Sequence, residues 1–257
     1  MRYVSTRGKS PEASFKEVLL RGLAPDGGLY LPTTWPQFNV NELRKVLGSE
    51  FSYQALASEI IYPFTKDSID KDELSELIHR AYGPFSAEDI VPMKCLNSKL
   101  WIAELFHGPT LAFKDIALQL VGELFENQLQ KESENITIVG ATSGDTGSAA
   151  IEACRDRENM EIFILHPHGR TSEVQRRQMT SVHSKNVFNI AIEGTFDDCQ
   201  DLVKDMFADV DFSTRINMSA VNSINWARVM TQIVYYWWAS MQILSLIHIS
   251  EPTRLAW

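Results

Sequence analysis

The chain has 257 residues, of which 44% are hydrophobic and 22% charged, and its formal charge is -9. Length and composition fit an ordinary globular protein of one large or two modest domains. The acidic balance and the lack of any basic block speak against a nucleic-acid binder.

Three scattered cysteines, Cys95, Cys154 and Cys199, form no C-x-x-C pair, which suits a reducing compartment and offers no metal site. The N-terminal MRYVSTRGKS has no apolar run of the secretory kind, so the cytoplasm is the expected location. The most hydrophobic stretch, Ile233 to Leu244, is too short to span a bilayer and reads as a buried helix.

In chain order, residues 1–90 read as a small, mainly helical N-terminal region. Asp26-Gly27-Gly28 marks a tight turn, and NVNELRKVLG and SIDKDELSELIHRAYG carry helical periodicity, with Ser68 as the expected cap of the second. From residue 91 to 242 the pattern is that of an α/β domain. KLWIAEL, ITIVGA, EIFILHP, NVFNIAIEG and MSAV are apolar strand-like runs, and each is followed by a helical run. Such alternation predicts βαβ units around a parallel sheet with helices on both faces. Ligands of such sheets bind outside the carboxyl ends of the strands. The segments to inspect are therefore HGPTLAFKD, ATSGDTGS, HPHGRTS, EGTF and NSINWAR.

HGPTLAFKD sets Lys114 in apolar surroundings. It is either a helix-start lysine whose head reaches water or a desolvated amine suited to Schiff-base chemistry. ATSGDTGSAA joins Gly140, Gly144 and Gly147 to the hydroxyls of Thr142, Ser143, Thr146 and Ser148 at a helix N-terminus, where anions bind. Its spacing matches neither the dinucleotide fingerprint nor the Walker loop, and the same residues also build ordinary strand-to-helix turns. In NSINWAR, Arg228 suits a phosphate or carboxylate, or else lies on a solvated face behind a cap from Ser223 or Asn225. His107, His166 and His168 lie in strand-end loops without a carboxylate or cysteine at ligand spacing, so no metal is expected.

YVSTRG with APDGGLYLP, HGPTLAFKD, ATSGDTGSAA, GTFDDCQDLVK and NSINWAR together resemble the threonine synthase family, from Arg2 to about Gln242. The resemblance implies a pyridoxal 5'-phosphate enzyme of fold type II, the tryptophan-synthase-β type, acting last in threonine biosynthesis. It would be a lyase that converts O-phospho-L-homoserine and water to L-threonine and phosphate. It implies that Lys114 is the catalytic lysine and carries the cofactor. Ser143, Asp145 and Thr146 would border the cofactor. Thr142, Ser143, Gly144, Asn222, Asn225 and Arg228 would hold the substrate, with Arg228 on its phosphate. Two alternatives within reach of the resemblance are a phospho-lyase that releases 2-oxobutyrate and a non-catalytic amino-acid-binding relative.

The family's glycine-rich loop for the cofactor phosphate and its late Ser/Thr at the pyridine nitrogen have no match here. After Gln242 the chain reads ILSLIHISEPTRLAW, in which SLIHISEPTR resembles a translated sequencing-adapter run. Residues 243–257 are read as an artefactual tail on a truncated domain. The helix face from Val234 to Trp238 is expected to lack partners, and this piece alone to bind the cofactor weakly or not at all, to aggregate and to be inactive.

Overall fold

The computed structural model describes residues 1–48, 51–221 and 224–250. In the N-terminal region, β1 (Tyr3–Ser5) and β2 (Tyr30–Pro32) pair antiparallel, an element the helical reading of this region lacked. The Asp26-Gly27-Gly28 turn supports them. Gly27 has φ 75°, and the Asp26 carboxylate accepts from the Ser5 hydroxyl at 2.6 Å and from the Gly28 and Lys9 amides. Helix α1 (Phe15–Arg21) opens on a capping box between Ser14 and Glu17. α2 (Val40–Leu47), α3 (Tyr53–Thr65) and α4 (Lys71–Tyr82) follow. The cap of α4 is Asp70, whose carboxylate accepts from the Glu73 amide at 2.8 Å, and not Ser68. Ser68 lies two residues too early and accepts from the Lys16 amide instead.

KLWIAEL does not join the parallel sheet. It forms β4 (Leu100–Ala103), which pairs antiparallel with β3 (Met93–Asn97) across a two-residue turn. Its exposure alternates along the strand, so it lacks the two-sided burial of a central parallel strand. The remaining units are α5 (Lys114–Glu132), β5 (Ile136–Ala141), α6 (Asp145–Cys154), β6 (Met160–Pro167) and α7 (Glu173–Thr180). β7 (Val187–Ile192), α8 (Phe196–Ala208), α9 (Val210–Arg215), β8 (Met218–Ser219) and α10 (Trp226–Ser250) complete the described chain. The four strands β5 to β8 are parallel in the order β7-β6-β5-β8.

Helices cover both faces of this sheet. Ile136, Ile138, Ile162 and Ile164 face α5 and α6, while Val139 and Leu165 face Cys199 and Val203 of α8. Gly122 lets α5 press on α6, since a Cβ there would stand 2.4 Å from the Ala153 carbonyl oxygen. The first core continues without a break into Tyr3, Phe15, Leu56 and Leu74 of the N-terminal region and Met230, Val234 and Trp238 of α10.

The expectation that the Val234–Trp238 face lacks partners fails for its two inward residues. Val234 and Trp238 are buried, because the N-terminal region supplies the covering surface. The Trp238 indole donates to the Val91 carbonyl at 2.7 Å, stacks on Phe51 and meets Tyr53 edge-on. Only Tyr236 of this stretch is exposed and large. α10 runs on through residue 243 to Ser250.

Candidate active site

Strands β5, β6 and β7 step in one direction across the sheet, and β8 lies on the other side of β5. The carboxyl ends of β5 and β8 therefore flank a point where strand order reverses, the place where open α/β sheets bind ligands. The loop before α5, the β5–α6 loop and the β8–α10 segment meet there.

Lys114 is the first residue of α5. Its ammonium forms a hydrogen-bonded ion pair with the Asp145 carboxylate of the β5–α6 loop and lies 4.5 Å from the Phe113 ring centre. The side chain is only 14% exposed, so the reading of a lysine with its head in water is set aside. Burial alone would raise the Asp145 pKa. The Lys114 hydrogen bond and charge, helped by the Thr146 amide, outweigh it and hold Asp145 below the ordinary carboxylate value.

The neighbouring Asp115 sets the shape of the loop. Its carboxylate is fully buried and accepts from the Thr110 amide at 2.7 Å and the Thr110 hydroxyl at 2.6 Å. Burial pushes its pKa up against those donors. Gly108 is required by this contact, because a Cβ there would stand 2.4 Å from the Asp115 Cβ. The closed loop holds Leu111 at φ 60°, a left-handed conformation that costs a β-carbon residue about 1 kcal/mol. Gln178 of α7 donates to the Thr110 carbonyl at 3.0 Å and ties the loop to the sheet domain. The sequence reading passed over Gly108, Thr110 and Asp115. An acid adjoining the candidate lysine in an apolar run was the available signal.

In the β5–α6 loop, Thr142 is buried, and its hydroxyl accepts from the Gly144 amide at 3.0 Å and the Gly147 amide at 2.9 Å. Thr142 thus shapes the loop. Gly144 has φ 150° and ψ -82°, and a Cβ would meet the Gln175 side-chain oxygen at 2.2 Å, so only glycine fits. Ser143 is exposed, and its hydroxyl has no partner among the described residues. The Thr146 amide donates to its neighbour Asp145 at 3.0 Å. Ser143, Asp145 and Thr146 therefore line the opening beside Lys114, at the positive end of α6.

Arg228 stands on the first turn of α10 and is 6% exposed, not on a solvated face. Its guanidinium has no hydrogen-bond or ion-pair partner among the described residues. Burial lowers its pKa, against the opposing pull of the Asp145 charge. A buried, unpaired cation is expensive unless an anion completes it. Asn225 is fully buried, and its amide group is engaged by the protein itself. It donates to the Leu19 carbonyl at 2.9 Å and the Ala220 carbonyl at 3.3 Å, and accepts from the Ala227 amide at 3.0 Å. Asn222 and Ser223 lie outside the described residues.

Two histidines have carboxylate neighbours that the sequence reading denied them. His107 pairs with Glu104 at 2.9 Å and His168 with Glu193 at 2.8 Å. The first follows from i,i+3 spacing, and the second from β6 and β7 ending side by side. No cluster of three potential metal ligands occurs among the described residues, and no helix there is long and apolar enough to cross a membrane. A cleft of about 600 Å³ at the amino end of β6, lined by Asp156, Arg157, His183 and Lys185, is remote from Lys114. Cavity size does not mark the site; the convergence of Lys114, Asp145 and Arg228 at the switch point does.

Residues 2–82 match the family described as threonine synthase N terminus, and residues 87–249 match that described as pyridoxal-phosphate dependent enzyme. A threonine synthase of Pseudomonas aeruginosa is 53% identical over 243 residues, covering 95% of this chain and 51% of the relative. One of Corynebacterium glutamicum is 50% identical over 242 residues, covering 92% of this chain and 50% of the relative. Among solved structures, the pyridoxal-phosphate-bound threonine synthase of Brucella melitensis superposes with a TM-score of 0.88 at 48% identity. That match covers 99% of this chain and 53% of the other. The chain spans about half the length of the curated relatives it matches.

Proposed function

The chain belongs to the family of pyridoxal-phosphate-dependent enzymes, and from that premise we propose that the whole protein is a threonine synthase. It would convert O-phospho-L-homoserine and water to L-threonine and phosphate, a carbon–oxygen lyase reaction in the cytoplasm. The observation that carries this reading is the meeting, at one switch point, of an amine, a helix N-terminus and a largely buried guanidinium that is unpaired among the described residues. This donor set fits pyridoxal 5'-phosphate and a phosphorylated amino acid, one offering an aldehyde and both offering anions.

Bound there, pyridoxal phosphate supplies the electron sink for loss of protons from the substrate carbons. Lys114 provides the amine that holds the cofactor. With the cofactor bound, the Lys114 amine would serve as the base and acid that moves protons at Cα and Cβ of the substrate. Asp145 orients that amine through their ion pair. Ser143 and the first amides of α6 receive the substrate carboxylate, with Gly144 giving the close approach and Thr142 holding the loop in shape. Arg228 grips the phosphate that leaves Cγ, with the fork geometry that suits phosphate oxygens. Fixing both ends of the substrate aligns the bonds that break and excludes competing orientations.

The test uses the full-length protein and O-phospho-L-homoserine. The expected products are threonine and inorganic phosphate in equal amounts. Release of 2-oxobutyrate and ammonia instead would overturn the reading. Lys114→Ala is expected to abolish both turnover and the visible absorbance of bound cofactor.

A further inference from the structure

Asn225 joins two helix ends with one side chain. Its oxygen accepts from the Ala227 amide and caps the start of α10, while its amide nitrogen donates to the Leu19 carbonyl at the end of α1. The side chain is 0% exposed, and all three of its contacts are to the protein backbone. Gly22 ends α1 at φ 71°, a left-handed conformation that favours glycine. The next residue, Trp226, is buried among Tyr3, Trp35 and Phe64 of the N-terminal region, with ring centres 6.2, 5.7 and 5.9 Å away. Two residues further on stands Arg228. The first turn of α10 is thus docked on the N-terminal region at two successive residues before it presents its cation to the site.

We propose that Asn225 is a positioning residue, by which the N-terminal region sets Arg228 as an anion receptor, and that it makes no contact with the ligand. The proposal rests on the reading of Arg228 as the phosphate-binding group of this site. It gives the N-terminal region a part in substrate binding although none of its side chains need reach the substrate. A guanidinium with no hydrogen-bond or ion-pair partner among the described residues gains affinity for an anion from being held in one orientation. Loosening the first turn of α10 gives up that orientation.

The experiment measures inorganic phosphate binding by calorimetry on four versions of the full-length protein: unchanged, Asn225→Ser, Arg228→Ala and the double variant. Asn225→Ser keeps an oxygen for the Ala227 amide but loses the donor to Leu19, so it separates docking from capping. It is expected to weaken phosphate binding about tenfold. In the Arg228→Ala background the same change is expected to have no further effect, because its influence passes through Arg228. If the two losses simply multiply, or if Asn225→Ser leaves phosphate affinity unchanged, the proposal fails. Absence of phosphate binding in the unchanged protein also overturns it. Should Asn225→Ser not fold, Trp226→Phe loosens the same docking from the aromatic side and must show the same dependence on Arg228. Failure to turn over O-phospho-L-homoserine would sink the reaction assigned above while leaving the phosphate comparison standing.

Discussion

The two cations of the site stand on the first turns of two helices, and the protein holds them in opposite ways. Lys114 is held from close by. Gly108, Thr110 and Asp115 lie within seven positions of it, and its charge is matched by Asp145. Arg228 is held from far away, through a hydrogen bond between residues 206 positions apart, and no hydrogen bond or ion pair meets its charge among the described residues. On the proposed function, the contrast separates two tasks. An amine that must change partners during a reaction needs a temporary counter-charge and a rigid local frame. A receptor for a doubly charged phosphate needs an open valence, and the fold must then supply the rigidity from outside.

The largest effect expected on this comparison comes from breaking the local frame. Gly108→Ala drives a methyl group to 2.4 Å from the Asp115 Cβ, so the loop must shift away from α5. Overpacking of this kind costs about 1–3 kcal/mol of stability. Urea unfolding of the full-length protein should show that loss together with weaker cofactor absorbance. Gly140→Ala is the control, since its Cβ would meet only the tip of Ile164 at 3.5 Å. Equal behaviour of the two variants would mean that Gly108 does not shape the lysine loop.

A smaller effect, of opposite sign, is expected at the unmatched cation. Arg228→Met removes a buried charge with no partner among the described residues and keeps an apolar stem of similar reach. Replacing such a charge is expected to raise stability by about 1–2 kcal/mol while weakening phosphate binding. Thermal unfolding with and without phosphate checks both halves. A destabilised variant would show that Arg228 is completed by the protein itself.

The same contrast explains how far the sequence could be read. Lys114 and the SGDTG loop are local patterns, and the strand-to-helix placement of the loop follows from the period change at Ile136–Ala141 and Asp145–Cys154. Threonine, glycine and asparagine in these motifs were visible as chemistry, but their division of labour was not. Thr142 looks like a ligand group in the sequence and turns out to shape its own loop. Asn225 looks like one too, and its amide is bound to a helix end from the start of the chain. No periodicity announces a pairing between residues 19 and 225. The β4 run misled for a related reason. An apolar tetrad reads alike in a hairpin and in a parallel strand until its partner is known.

The smallest effect concerns the two acids beside Lys114, Asp145 as its ion-pair partner and Asp115 in its loop, and it has a sign that can be worked out. Asp145 is held below its ordinary pKa, so its share of stability is present above the unfolded value near 3.8 and is lost as pH falls through the folded value. Its side chain is 41% exposed, and solvent limits that share to less than about 1 kcal/mol. Asp115 is shifted the other way by burial. The folded state prefers its protonated form, so its favourable share is complete below the unfolded value and fades as pH rises through the folded one. Acid unfolding of the two asparagine variants therefore separates the roles. Asp145→Asn should flatten the rise of stability with pH below about pH 4, and Asp115→Asn should steepen the rise above it. If both substitutions changed the slope in the same direction, the division between a counter-charge for Lys114 and a buried loop clamp would be wrong.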